Sequence, residues 1–108
     1  MNTGVSRCQD KECVLERGGK PLTFGRSAHN ELVIDDKLAY VSGSHGKIEL
    51  NGAGMVLTDN SRNGIYISFG GGRFFMVEKT VVLRGSGRMT LGRAPDDPGA
   101  IIADFELE

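Results

Sequence analysis

The sequence predicts an all-β fold, a sandwich or barrel of many short strands. Three observations point there. Short β-prone runs follow one another, and many alternate with period two: in Lys47-Ile48-Glu49-Leu50, Ile48 and Leu50 share one face. Turn-forming clusters separate the runs, drawn from sixteen glycines, three prolines and many Asn and Asp residues. No window supports a helix of any length, and the nearest candidate, Asp35–Tyr40, is too short. Many short strands joined by regular turns argue a sandwich or barrel.

Taken in chain order, the polar stretch from Met1 to Lys11 is expected to be a flexible segment, with the sandwich running over 12–108. Strands are expected near Glu12–Glu16, Leu22–Gly25, Glu31–Ile34, Gly46–Leu50, Met55–Asp59 and Ile65–Ile67. Further strands follow near Arg73–Val77, Thr80–Leu83, Arg88–Leu91 and Ile101–Glu106. Asn51-Gly52-Ala53-Gly54, Asn63-Gly64 and Gly85-Ser86-Gly87 read as turns. Gly70-Gly71-Gly72-Arg73 lacks the Gly-Lys-Ser/Thr ending and following helix of a phosphate-binding P-loop, so it reads as a hairpin tip. Ala94–Gly99 is a loop joining the last two strands.

Composition bounds the function. A chain of 108 residues suggests one domain, long enough to bury a core without disulfides. The formal net charge of −1 gives no overall basic field for nucleic acid, so any anion site must be local. No apolar run approaches the roughly 20 residues that span a bilayer, and the N-terminus lacks the apolar stretch of a secretory signal. No membrane insertion is expected. Cys8 and Cys13 leave a disulfide open, but the favoured reading is two reduced thiols in a cytoplasmic protein. Two cysteines with His29 and His45 at no metal-binding spacing give no zinc site, and neither a metal nor a cofactor is expected.

The residues with chemical potential lie in turns. Arg26 follows a glycine at a strand end, and its guanidinium fork suits a phosphate; alone, it reads as a solvated surface arginine. The Ser42 hydroxyl could donate to a phosphate oxygen, although a lone loop serine more often caps its own turn. Asn63-Gly64 is a hairpin signal by itself, yet the Asn63 amide can also clamp an extended peptide, and Arg62 adds charge in the same loop. His45, with Ser42, Ser44 and nearby Asp residues, sketches a hydrolytic triad. No nucleophile elbow accompanies it, so no enzyme activity and no catalytic residues are expected.

The ordered set resembles the forkhead-associated (FHA) domain. Phe24-Gly25-Arg26 with Asn30, then Leu32-Val33-Ile34-Asp35-Asp36, is similar to that family's opening strand and loop. Val41-Ser42 with His45 resembles its Ser-Arg-x-His segment, and Ser61 with Asn63-Gly64 resembles its Ser-x-Asn-Gly-Thr turn. Met89-Thr90-Leu91-Gly92 resembles its closing Leu-Gly. The resemblance implies a two-sheet β-sandwich with binding loops at one end, a module that binds phosphothreonine-containing proteins and mediates phosphorylation-dependent interaction in signalling. It implies that Arg26 and Ser42 contact the phosphate, that Asn63 bonds the peptide main chain, and that Gly25, His45 and Gly64 shape the loops. It also implies that such modules often sit beside other domains.

Three positions depart from the pattern. The family usually has a basic residue directly after the motif serine, where this chain has Gly43. Ile65 stands where threonine is usual, a packing difference, and Arg62 stands where small Ser or Thr is common. Arg62 either replaces the charge lost at Gly43 or reads a side chain beyond the phosphothreonine. Gly43 also motivates the alternative: a phosphate-independent structural or oligomerisation domain of a larger assembly, such as a secretion system.

Overall fold

The computed structural model describes residues 3–16, 19–52 and 54–107. They form eleven strands: β1 (Thr3–Cys8), β2 (Lys11–Glu16), β3 (Leu22–Gly25), β4 (Leu32–Val33), β5 (Gly46–Asn51), β6 (Gly54–Asp59), β7 (Ile65–Phe69), β8 (Phe75–Met76), β9 (Thr80–Leu83), β10 (Ser86–Leu91) and β11 (Ile101–Leu107). One sheet has the order β2-β1-β11-β10-β7-β8 and the other β4-β3-β5-β6-β9. All pairings are antiparallel except β3 with β4. The expected two-sheet sandwich is the observed architecture.

The alternation read from the sequence becomes the core. Along β5, Ile48 and Leu50 are buried while Lys47 and Glu49 are partly exposed. Phe24, Ile48 and Leu57 of the smaller sheet share the core with Ile65, Ile67, Met89, Leu91 and Phe105 of the larger. Phe69 meets Phe105 edge-on with centroids 5.8 Å apart, the orientation that ring quadrupoles favour. Cys8 and Cys13 are both free, and burial pushes the Cys8 thiol up to about 11, which leaves it an inert packing group.

The segment expected to be flexible, 1–11, is the main correction. Its described residues carry β1, which lies between β2 and β11 inside the larger sheet. The strand looked polar because its buried side needs small residues. Gly4, Ser6 and Cys8 alternate inward, and a Cβ on Gly4 would come within 2.7 Å of Met55 Sδ. Gln9 and Asp10, with φ of 51° and 64°, close the β1–β2 hairpin on the left-handed backbone that two-residue hairpins use. Other strands differ from expectation by a few residues at their ends; β8 keeps only Phe75–Met76 of the run expected over Arg73–Val77. The Asn51-Gly52-Ala53-Gly54 turn includes residue 53, which lies outside the described residues.

The hairpin also covers an exposed edge. β4 is the last strand of the smaller sheet, and bare edge strands invite pairing with other chains. Gln9 acts as a substitute strand: its Nε2 donates to Asp35 O and its Oε1 accepts from Asp35 N, both at 2.8 Å. Lys11 Nζ donates to Val33 O. Deleting residues 1–11 should therefore abolish cooperative unfolding and cause aggregation, checked by circular-dichroism melting and light scattering. A truncated chain that melts like the full one would show that β1 is dispensable.

Candidate functional site

Four loops meet at one end of the sandwich: 26–31, 34–45, 60–64 and 92–100. Backbone bonds tie them together. Arg26 N donates to Ser42 O (3.1 Å), Ser27 N to Gly43 O (3.1 Å), Asn60 N to His45 O (2.9 Å) and Gly92 N to Gly64 O (3.0 Å). Such close approach of two loops leaves no room for a side chain at Gly25, where a Cβ would lie 2.3 Å from Gly43 O. Gly92 is confined in the same way: its φ is 82°, and a Cβ there would lie 2.5 Å from Tyr40 O.

His45 lies at the centre of the cluster, fully buried. Its Nδ1 accepts from Ser42 N (3.0 Å) and its Nε2 donates to Gly64 O (2.9 Å). A carbonyl can only accept and an amide N–H can only donate, so the ring is neutral with its proton on Nε2. Burial lowers its pKa, with the bond to Gly64 and the Asp59 charge opposing. Both ring nitrogens are committed to backbone groups, so the triad sketched around His45 is not formed. His29 Nε2 does reach Ser44 Oγ (2.9 Å), but among the described residues no carboxylate orients that ring.

Side chains brace each loop. Asp36 accepts from Leu38 N (3.2 Å) and Val41 N (2.9 Å), folding 36–41 into a compact turn with Ala39 at φ 58°. Asp59 Oδ1 accepts from Ser61 N (2.8 Å), and Ser61 Oγ accepts from Gly64 N (2.7 Å). Arg93 lies 4.1 Å from the Tyr40 ring centroid and pairs with Asp97 at 3.3 Å, holding 92–100 against 36–41. Asp36 had a readable signal, an Asp placed before a turn, and Gly92 belongs to the closing Leu-Gly pattern; Tyr40 and Arg93 carried no signal in the sequence.

The four candidate binding residues are brought together above this base. Arg26 Nε donates to Val41 O, which leaves the two terminal amines of the guanidinium without partners among the described residues. Ser42 Oγ accepts from Arg62 N (3.0 Å), so its own proton is free to donate outward. Asn63 Nδ2 donates to Tyr40 O (2.9 Å), leaving its Oδ1 as an acceptor. Neither Arg26 nor Arg62 forms an ion pair among the described residues, whereas Arg7, Lys47, Arg88 and Arg93 each do. The chain has a formal net charge of −1, yet this rim carries two unneutralised cations beside a free hydroxyl donor. Gly25, His45 and Gly64 are buried. No group of three or more potential metal ligands occurs among the described residues.

A sequence model of the FHA domain matches residues 22–92. No curated protein matches the chain in sequence. Among solved structures, the fold is similar to Rv1747 FHA-1 of Mycobacterium tuberculosis (21% identity, 96% of this chain and 94% of that one, TM-score 0.73). It is also similar to the N-terminal FHA domain of Rad53p from S. cerevisiae, solved with a phosphothreonine peptide (18% identity, 98% and 94% coverage, TM-score 0.71). A third similar structure is M. tuberculosis EmbR in complex with a low-affinity phosphopeptide (20% identity, TM-score 0.73); 99% of this chain aligns with 25% of that one. The sequence model omits β1, β2 and β11, but the structural matches cover nearly the whole chain.

The His45 bridge sets the direction of a pH dependence. Its folded-state pKa lies below the unfolded value of about 6.5 because burial disfavours the charged ring. The unfolded chain therefore binds more protons below that pH, and this contribution to stability, complete at neutral pH, is lost as pH falls from about 6.5. Urea unfolding at pH 7.5 and 5.0 should show a larger loss for wild type than for His45→Ala. Equal losses in the two chains would exclude His45 as the source.

Proposed function

We propose that this chain, which belongs to the FHA domain family, is a phosphothreonine-peptide-binding module that mediates phosphorylation-dependent protein–protein interaction in signalling. The observation that carries the proposal is Arg26, anchored through Nε to Val41 O and otherwise unpaired, beside the free donor of Ser42. A phosphothreonine brings a charge of about −1.5 to −2 and three acceptor oxygens. A held guanidinium fork and a hydroxyl suit that ligand better than a carboxylate, which has only two oxygens and one charge.

In this reading Arg26 and Ser42 hold the phosphate. Arg62 supplies a second positive charge, because its own N–H donates to Ser42 Oγ and keeps the residue beside the site. Asn63 Oδ1 accepts from the main chain of an extended peptide. Gly25, His45 and Gly64 keep the loops in register without touching the ligand. The two free thiols, Cys8 and Cys13, suit a cytoplasmic setting. Loss of the phosphate site, the premise of a purely structural assembly domain, is not favoured by a rim that retains both Arg26 and Ser42.

The test is fluorescence anisotropy with a labelled degenerate phosphothreonine peptide pool and the same pool without phosphate. Binding should require the phosphate. Charge-assisted bonds contribute roughly 1.5–3 kcal/mol each, so Arg26→Ala should weaken binding at least about tenfold. Asn63→Ala should weaken binding without abolishing the preference for phosphate. Equal binding of the two pools, or an Arg26→Ala chain that binds like wild type, would refute the proposal.

A further inference from the structure

Position 43 has no side chain, where the family usually places a basic residue, but the space beside it is filled. An ideal Cβ on Gly43 would lie 2.7 Å from Ser27 Oγ. Ser27 is fixed against Gly43 by its backbone. Its N–H donates to Gly43 O (3.1 Å), and Asn30 Nδ2 donates to both Ser27 O (2.8 Å) and Gly43 O (2.7 Å). One residue earlier, Arg26 N donates to Ser42 O (3.1 Å). The two loops thus run side by side, with Arg26 beside Ser42 and Ser27 beside Gly43.

The hydroxyl oxygens of the neighbouring loop serines each have a hydrogen-bond partner. Ser42 Oγ accepts from Arg62 N, Ser44 Oγ bonds His29, and Ser61 Oγ lies between Asp59 and Gly64. Ser27 Oγ has no partner among the described residues, and its residue is half-buried next to Arg26. A hydroxyl so placed has an uncommitted proton and can turn toward an anion that Arg26 holds.

We infer that Ser27 is a third donor to the phosphothreonine phosphate, standing in for the side chain missing at Gly43; this rests on the phosphothreonine reading above. Three protein groups then face three phosphate oxygens: the Arg26 guanidinium, the Ser42 hydroxyl and the Ser27 hydroxyl. The third is neutral, where the family pattern supplies a cation. Ser27 and a long side chain at position 43 compete for one place, so their contributions are not additive.

The experiment uses the full chain, a fluorescein-labelled degenerate phosphothreonine peptide pool and the unphosphorylated pool. Ser27→Ala should weaken binding of the phosphorylated pool about tenfold, leaving the unphosphorylated pool and the melting temperature unchanged. Gly43→Arg should restore the affinity that Ser27→Ala loses, and in the Gly43→Arg chain Ser27→Ala should change affinity less than about twofold. If Arg26→Ala weakens binding while Ser27→Ala binds within about twofold of wild type, the Ser27 role is overturned and the phosphothreonine reading stands. If Ser27→Ala lowers the melting temperature and weakens both pools equally, Ser27 is a packing residue and the inference fails. If neither Arg26→Ala nor Ser27→Ala alters binding, both readings fail together.

Discussion

One buried imidazole holds the loop end of this molecule together. His45 accepts from Ser42 N and donates to Gly64 O, and Gly64 O also accepts from Gly92 N. The neutral ring thereby links two loops, and the Gly64 carbonyl it shares with Gly92 ties in a third. The two bonds have opposite polarity, which neither an ammonium nor a carboxylate could satisfy, because each has only donors or only acceptors. The side chains at the rim depend on this bridge. Ser42 is placed by it directly, and Asn63 and Arg62 are placed through the 60–64 loop that ends at Gly64. Burial in the low-polarity core strengthens each bond and makes its loss costly.

The opposite pole of that organisation is the β1–β2 hairpin. Gln9 and Lys11 reach out of it to the main chain of Val33 and Asp35, where a further strand would otherwise pair. Asp35 precedes Asp36, whose carboxylate folds the 36–41 turn. The hairpin therefore closes the smaller sheet and also steadies the approach to the loop that presents Tyr40 and Ser42. Its polar side chains replace backbone hydrogen-bond partners instead of simply facing solvent.

The strands that bury large apolar residues on one face were legible in the sequence. Ile48 and Leu50, or Ile65 and Ile67, announce the sheet by alternation, and the glycine clusters between them announce turns. β1 was not legible, for a physical reason. Opposite the bulky Met55 the core admits only small groups, so Gly4 and Ser6 are interior residues that look like surface ones. The hairpin after it turns on Gln9-Asp10, which lacks the Asn-Gly signal. At the loop end, the order of Arg26, Ser42 and Asn63 was readable, but their mutual bracing was not. Tyr40, Gly92 and Arg93 act through contacts between loops distant in sequence, and no local pattern encodes such contacts. Ser27 belongs to the same class, since its position has meaning only beside Gly43.

The bond from Arg26 Nε to the Val41 carbonyl carries a further consequence, in the language of molecular recognition. A guanidinium has nitrogens on three sides of one rigid plane. Spending one of them on the protein fixes the azimuth of the plane and leaves the other two as a directed pair. Lysine brings the same charge on a freely rotating tip, so it could be tethered or could present donors, but it could not do both with a defined orientation. What this position encodes is therefore an angle as well as a charge, and an exchange that conserves charge alone would erase the directional half of that code.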